Sequence, residues 1–124
     1  MDTLELLLKM NIPDMPEKEI KVKRLSTLCG EPVVFRLRAL PYSRTAEIIK
    51  DQKDDMNVHI LLAGVLSPDL KSKDLMEKYH TATPAELVKR MLLPGEIEDI
   101  SRAVEKLSGF RMNTIEEVDE VKKR

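Results

Sequence analysis

The run MNVHILLAGVL at residues 56–66 constrains this chain more than any other segment. It is apolar almost all the way round, the pattern of a helix buried on every side. Such a helix needs a shell, so the remaining elements must wrap it. Its uninterrupted apolar stretch, Ile60 to Leu66, is far shorter than the roughly 20 residues that cross a bilayer. The shell must come from a chain of 124 residues, the usual size of one domain. That length can bury roughly two thirds of its unfolded surface, enough for one core. Aromatics are only 3% of the residues, so Leu, Ile, Val and Met must build that core.

Two segments on the N-terminal side alternate with period two. In EIKVKRL, 19–25, Ile20 and Val22 share one face and Lys21 and Lys23 the other. In PVVFRLRAL, 32–40, Val33, Phe35, Leu37 and Ala39 share a face opposite Arg36 and Arg38. STLCGE between them reads as the turn of an antiparallel hairpin with one buried face. Matching the apolar faces requires opposed residues whose numbers add to an odd sum. Glu19 then faces Arg36 or Arg38, which relieves like-charge contact. A two-stranded hairpin is marginal alone, so helices must cover it.

The remaining signals are helical. TLELLLKM, 3–10, sets Leu4, Leu7 and Leu8 on one face and ends before the two prolines of NIPDMPEKE. SRTAEIIKDQ, 43–52, reads as a helix capped by Ser43. Ser67 and Pro68 suit a cap and a first helical position. SKDLMEKYH, 72–80, is a short helix. Thr83, Pro84 and Glu86 give a full capping box for TPAELVKRMLL, 83–93. In LPGEIEDISRAVEKLSGF, Pro94 and Gly95 divide two helices, and Glu96 and Glu98 suit the positive end of the second. Gly109 fits the left-handed residue that closes a helix, and Phe110 the apolar contact after it. NTIEEVDEVKKR, 113–124, predicts a last helix with a narrow stripe of Ile115, Val118 and Val121. The expected architecture is α+β: an N-terminal antiparallel β-hairpin packed on a mainly helical bundle. Residues 1–18 form an N-terminal helix and linker, 19–110 a single core domain, and 111–124 a C-terminal helix or tail.

Chemistry has little to work with. Formal net charge is −1 with the signs interleaved, which favours neither nucleic acid nor a membrane surface. The N-terminus is acidic at its start and lacks the basic region of a signal peptide. Cys29 is the only cysteine, which suits a reducing cytosol. Glu77 and His80 have half the spacing of a di-metal carboxylate site, but no second pair completes it. His59 sits in the apolar helix and reads as a packed residue. No histidine neighbours Cys29 to activate it. Lys21, Lys23, Arg36 and Arg38 form a basic stripe, and the flanking Glu17, Glu19 and Glu31 favour reading it as a solvated face. Six of the seven methionines (Met10, Met15, Met56, Met76, Met91 and Met112) suit adaptable binding surfaces, though core filling is the commoner use. No P-loop or dinucleotide fingerprint is present. No metal, no cofactor and no enzymatic activity are expected.

One resemblance goes further. The hairpin ending in FRLRALPYSRTAEI, then SPDL with Pro68 and Leu70, then LLPGEI joined to LSGF by an amphipathic helix, resembles the tail assembly chaperones of tailed phages and PBSX-like prophages, the XkdN-like group. It spans about residues 19–110. The resemblance implies a non-enzymatic, cytoplasmic role in the bacterial host during virion assembly. It implies that the chain keeps tape measure protein soluble and recruits tail tube protein, in a short and often also a longer frameshifted form. The end stripes, Leu4, Leu7 and Leu8 with Ile115, Val118 and Val121, are the surfaces expected to meet a partner, and self-association is a further expectation. A small adaptor or regulatory protein-binding domain is the alternative reading.

Overall fold

The computed structural model describes residues 1–118. At the centre lies the buried helix, α4 (Met56–Gly64), with Val58, Ile60, Leu61 and Gly64 all buried. Against it packs the longest described helix, α7 (Pro94–Leu107), through Ile97, Ile100 and Val104. α6 (Pro84–Met91) contributes Leu87 and Val88, and α3 (Tyr42–Asp51) contributes Ile48. The expected α+β class holds: an antiparallel sheet covers one side of this helical core.

The sheet has three strands in the order β1 (Glu17–Lys21), β2 (Val34–Arg38), β3 (Val65–Ser67). β1 and β2 pair in the odd register, with Ile20 opposite Phe35 and Glu19 opposite Arg36. Phe35 and Leu37 are 1% and 0% exposed, so the face that alternation selected is the buried one. On the outer face Arg36 reaches across to Glu17 at 3.7 Å.

Four elements differ from the sequence reading. STLCGE is not a turn: α2 (Lys23–Cys29) replaces it and ends at Gly30 in the left-handed conformation. Its geometry is set by tertiary bonds. Leu25 packs on the core, and Arg24 Nε and Nη2 donate to the two Glu96 oxygens at 3.0 and 2.9 Å, while Nη2 also donates to the Met91 carbonyl. Second, the apolar run does not stay helical to its end. Val65–Ser67 leaves α4 as β3, because the second edge of β2 needs backbone partners and Val65 lies opposite Leu37. Ser67 is therefore a strand residue opposite Arg36, not a cap, and Pro68 follows it through a cis peptide bond instead of opening a helix. Third, α3 starts one residue before the expected cap: Pro41 is the cap residue and its carbonyl accepts from Arg44 and Thr45. Fourth, residues 113–118 have no regular secondary structure, so the expected C-terminal helix is absent there, and 119–124, including Val121, lie outside the described residues.

Other local signals appear as read. Thr83 Oγ1 accepts from the Glu86 N–H at 3.1 Å, with Pro84 at the first helical position. The return arm differs: Glu86 accepts from Ala82, not from the cap residue itself. Gly109 has φ +96, its N–H donates to the Lys106 carbonyl, and the Phe110 N–H donates to Glu105, which together make a Schellman closure of α7. α5 (Lys73–Lys78) is capped by Ser72.

Candidate functional site

The end of β2 and the end of α7 meet through one side chain. The Ser108 hydroxyl donates to the Val104 carbonyl at 2.8 Å and accepts from the Leu40 N–H at 2.9 Å. That double bond fixes where the chain leaves the sheet, and Pro41 then turns it into α3. α3 buries Ile48 but leaves Tyr42, Ala46 and Ile49 exposed on a neighbouring stripe at helical spacing. The Schellman closure projects Phe110 beside that stripe, 48% exposed. Met15 approaches from the N-terminal linker. The result is an open groove of about 480 Å³ whose apolar walls are Met15, Leu40, Ala46, Ile49 and Phe110, with Tyr42 and Thr45 at its polar points. A smaller space of about 50 Å³ continues from it past Thr45 and Ser108 to Ile60 and Val104 in the core.

The arrangement is suited to taking up an apolar side-chain row and unsuited to acid–base chemistry. Glu105, the carboxylate beside its smaller extension, is held by Arg111 at 2.8 Å. A second cleft of about 420 Å³ lies between the Lys53–Asp55 3₁₀ turn and the start of α7, where Asp55 and Lys89 are tied to each other at 2.7 Å. The most perturbed carboxylate, Glu96, is structural. Its hydrogen bonds from Arg24 hold it below its ordinary pKa, burial opposes this, and the Leu93 N–H at 2.7 Å adds to the lowering.

The expected contact residues lie apart from the groove walls. α1 (Thr3–Lys9) is closed locally by Asp2, which accepts from the Glu5 N–H at 2.8 Å, and it buries none of its residues. Leu4, Leu7 and Leu8 are exposed, as is Leu6, which the three-residue stripe omitted. Ile115 and Val118 are exposed in the irregular segment after α7. The groove nevertheless joins the two ends, because Met15 and Phe110 both line it and the N-terminal and C-terminal segments depart from there. Sequence reasoning missed Tyr42, Ala46, Ile49 and Phe110 as a site. The signal was present in α3, which carries a second apolar stripe beside its buried one.

The metal candidates do not assemble. His80 falls after α5 with φ +54, so it does not share a helical face with Glu77, and no metal-ligating cluster occurs among the described residues. Cys29 is exposed at the end of α2. Met56 and Met91 pack against the core, Met15 lines the groove, and Met10 and Met112 are exposed, so core filling and surface uses both occur.

A small α+β protein with an open apolar groove and exposed leucines matches one group of proteins by sequence. The chain belongs to the family of phage XkdN-like tail assembly chaperone proteins, whose sequence model matches residues 4–122. Among individual relatives, it is 31% identical to the phage-like element PBSX protein XkdN of Bacillus subtilis strain 168, covering 83% of this chain and 82% of that one. The crystal structure of the protein YqbN superposes with a TM-score of 0.70 at 26% identity, covering 89% of this chain and 98% of that one. No helix among the described residues is long and apolar enough to cross a membrane.

Proposed function

We propose that this chain acts without enzymatic chemistry, in the cytoplasm of a bacterial host, by holding an apolar helical segment of a tail component until assembly. Tape measure protein is the favoured partner and tail tube protein the other. The observation that carries the reading is the open groove between α3 and the closure of α7, in a member of a tail assembly chaperone family. An amphipathic helix presents apolar residues at steps of three and four, and a groove walled by Met15, Ile49 and Phe110 receives such a row. Met15 adds the adaptability of an unbranched thioether. The leucines of α1 and the exposed Ile115 and Val118 flank the groove along the chain, and with Val121 they extend the contact. A seven-residue helix is marginal alone, so α1 gains order on docking. Binding linked to ordering gives moderate affinity and ready release, which a chaperone that must leave the tail requires.

Co-expression with the tape measure protein of the same phage or prophage tests this. The expected result is a soluble complex recovered by pull-down. Ile49→Asp and Phe110→Asp, both at half-exposed positions, should abolish capture with the circular dichroism spectrum unchanged, and removal of residues 1–10 should weaken it. A tape measure protein equally soluble alone, with no complex, ends the chaperone reading. A complex indifferent to all three changes leaves the chaperone reading standing and moves the contact surface elsewhere.

A further inference from the structure

β1 is an edge strand, and its free edge is self-complementary in charge. The Val22 N–H donates to Val33 and the Ala39 N–H donates to Pro16, so the even-numbered residues of β1 bond inward to β2. By alternation, Glu17, Glu19 and Lys21 direct their N–H and C=O groups outward. None of these outward groups has a backbone partner among the described residues. Charged edges usually deter pairing. Here the two signs lie two residues apart, and that spacing leaves one pairing open.

We propose that two copies of this chain pair antiparallel through β1, about a two-fold axis at Ile20. Glu19 then exchanges both backbone hydrogen bonds with Lys21 of the second copy, and Lys21 with its Glu19. Ile20 meets Ile20 at the close, non-hydrogen-bonded position on the apolar face, where it is half-buried in the single chain. Glu17 lies towards the start of α2 of the second copy, where Lys23 leaves the strand. Both Glu19 and Lys21 of each copy thereby meet the opposite charge on the outer face. The neighbouring registers fail on the same criterion. Centring on Glu19 opposes Glu19 to itself, centring on Lys21 opposes Lys21 to itself, and centring on Lys18 opposes Glu17 to Glu19. A two-fold axis along the strands would set equivalent residues level but on opposite faces, with their outward N–H and C=O groups meeting head-on, so it forms no parallel ladder. Like charges directly opposite are unfavourable, so only the Ile20 register remains. The product is a continuous six-stranded sheet with both helical layers on one side, since an axis perpendicular to the sheet keeps the faces. The pairing uses none of the groove walls, so its failure and that of the chaperone reading are separable.

A few backbone bonds and one Ile pair make a small interface, so the dimer should appear in sedimentation velocity only towards high protein concentration. Glu19→Lys sets two like-charged pairs against each other, one on each side of the axis, and should weaken dimerisation roughly tenfold. Lys21→Glu should do the same, and the double swap Glu19→Lys/Lys21→Glu should restore it. In a Cys29→Ser background, Ile20→Cys should form an intermolecular disulfide on mild oxidation. Lys18→Cys should not, because the two positions lie four residues apart along the pair, roughly 13 Å, beyond disulfide reach. A chain that stays monomeric at every concentration overturns the proposal. So does a dimer that ignores the charge variants and cross-links equally well at both cysteine positions.

Discussion

Gly64→Ala puts the contact between α4 and α7 under direct test. A methyl group at Gly64 would lie 2.5 Å from both Cγ1 and Cγ2 of Val104, and 3.1 Å from its Cβ. Ordinary carbon contacts lie near 3.5–4.0 Å, so two atoms overlap by about 1 Å or more. Val104 is 0% exposed, belongs to the same core cluster as Ile97, Ile100 and Leu61, and borders only the small space of about 50 Å³ beside Ile60, so it has little room to give way. Overpacking of this kind costs about 1–3 kcal/mol. The better helix propensity of Ala offsets up to about 1 kcal/mol, less here because Gly64 is the last residue of α4. Val104→Ala removes the two obstructing methyls. Alone it should cost about 1.6 kcal/mol in transfer energy plus a cavity contribution. In that background Gly64→Ala should cost little, because only the 3.1 Å approach to Cβ remains and the new methyl refills part of the space. Urea denaturation of the four members of this cycle should show a coupling of about 1–2 kcal/mol, with the double variant more stable than the sum of the singles. Equal costs of Gly64→Ala in both backgrounds, or none in the first, would refute the close approach of the two helices.

Three further outcomes follow from local contacts. Thr83→Ala should lower stability by about 1 kcal/mol through loss of the bond to the Glu86 N–H, read as a shift in urea midpoint. Glu96→Gln should destabilise at pH 7. Because the folded carboxylate titrates below its ordinary value of 4.5, its stabilisation is complete above that pH and fades as pH falls through the folded value. The gap between wild type and variant should therefore close on acidification below about pH 4.5, and a gap constant down to pH 3 would contradict the Arg24 linkage. Replacing Leu4, Leu7 and Leu8 together by Ser should leave the thermal midpoint of the chain unchanged, since α1 buries none of them; a clear drop would place α1 in the core.

The parts of this protein that nearest neighbours in sequence decide were legible without coordinates. Thr83 and Pro84 start a helix because their bonding partners lie within one turn, and Gly109 with Phe110 ends one for the same reason. The buried face of Phe35 and Leu37, and the odd parity of its register, follow from period-two alternation, because a slip of one residue would turn the whole set outward, whereas the choice of Phe35 over Leu37 opposite Ile20 was left open. The burial of α4 follows from its lack of any polar face. What the sequence left undetermined depends on partners far along the chain. Lys23–Cys29 is helical where the turn signal of Gly30 suggested otherwise, and its anchor is Glu96, 72 residues from Arg24. Val65–Ser67 abandons its helix because the open edge of β2 offers backbone bonds, which no local pattern records. The groove belongs to the same class. Met15, Ile49 and Phe110 are unremarkable singly and become one surface only when Ser108 ties the end of α7 to Leu40. Local propensity and periodicity set the elements, and the requirement that buried apolar faces and backbone groups all find partners set how they end, bend and meet.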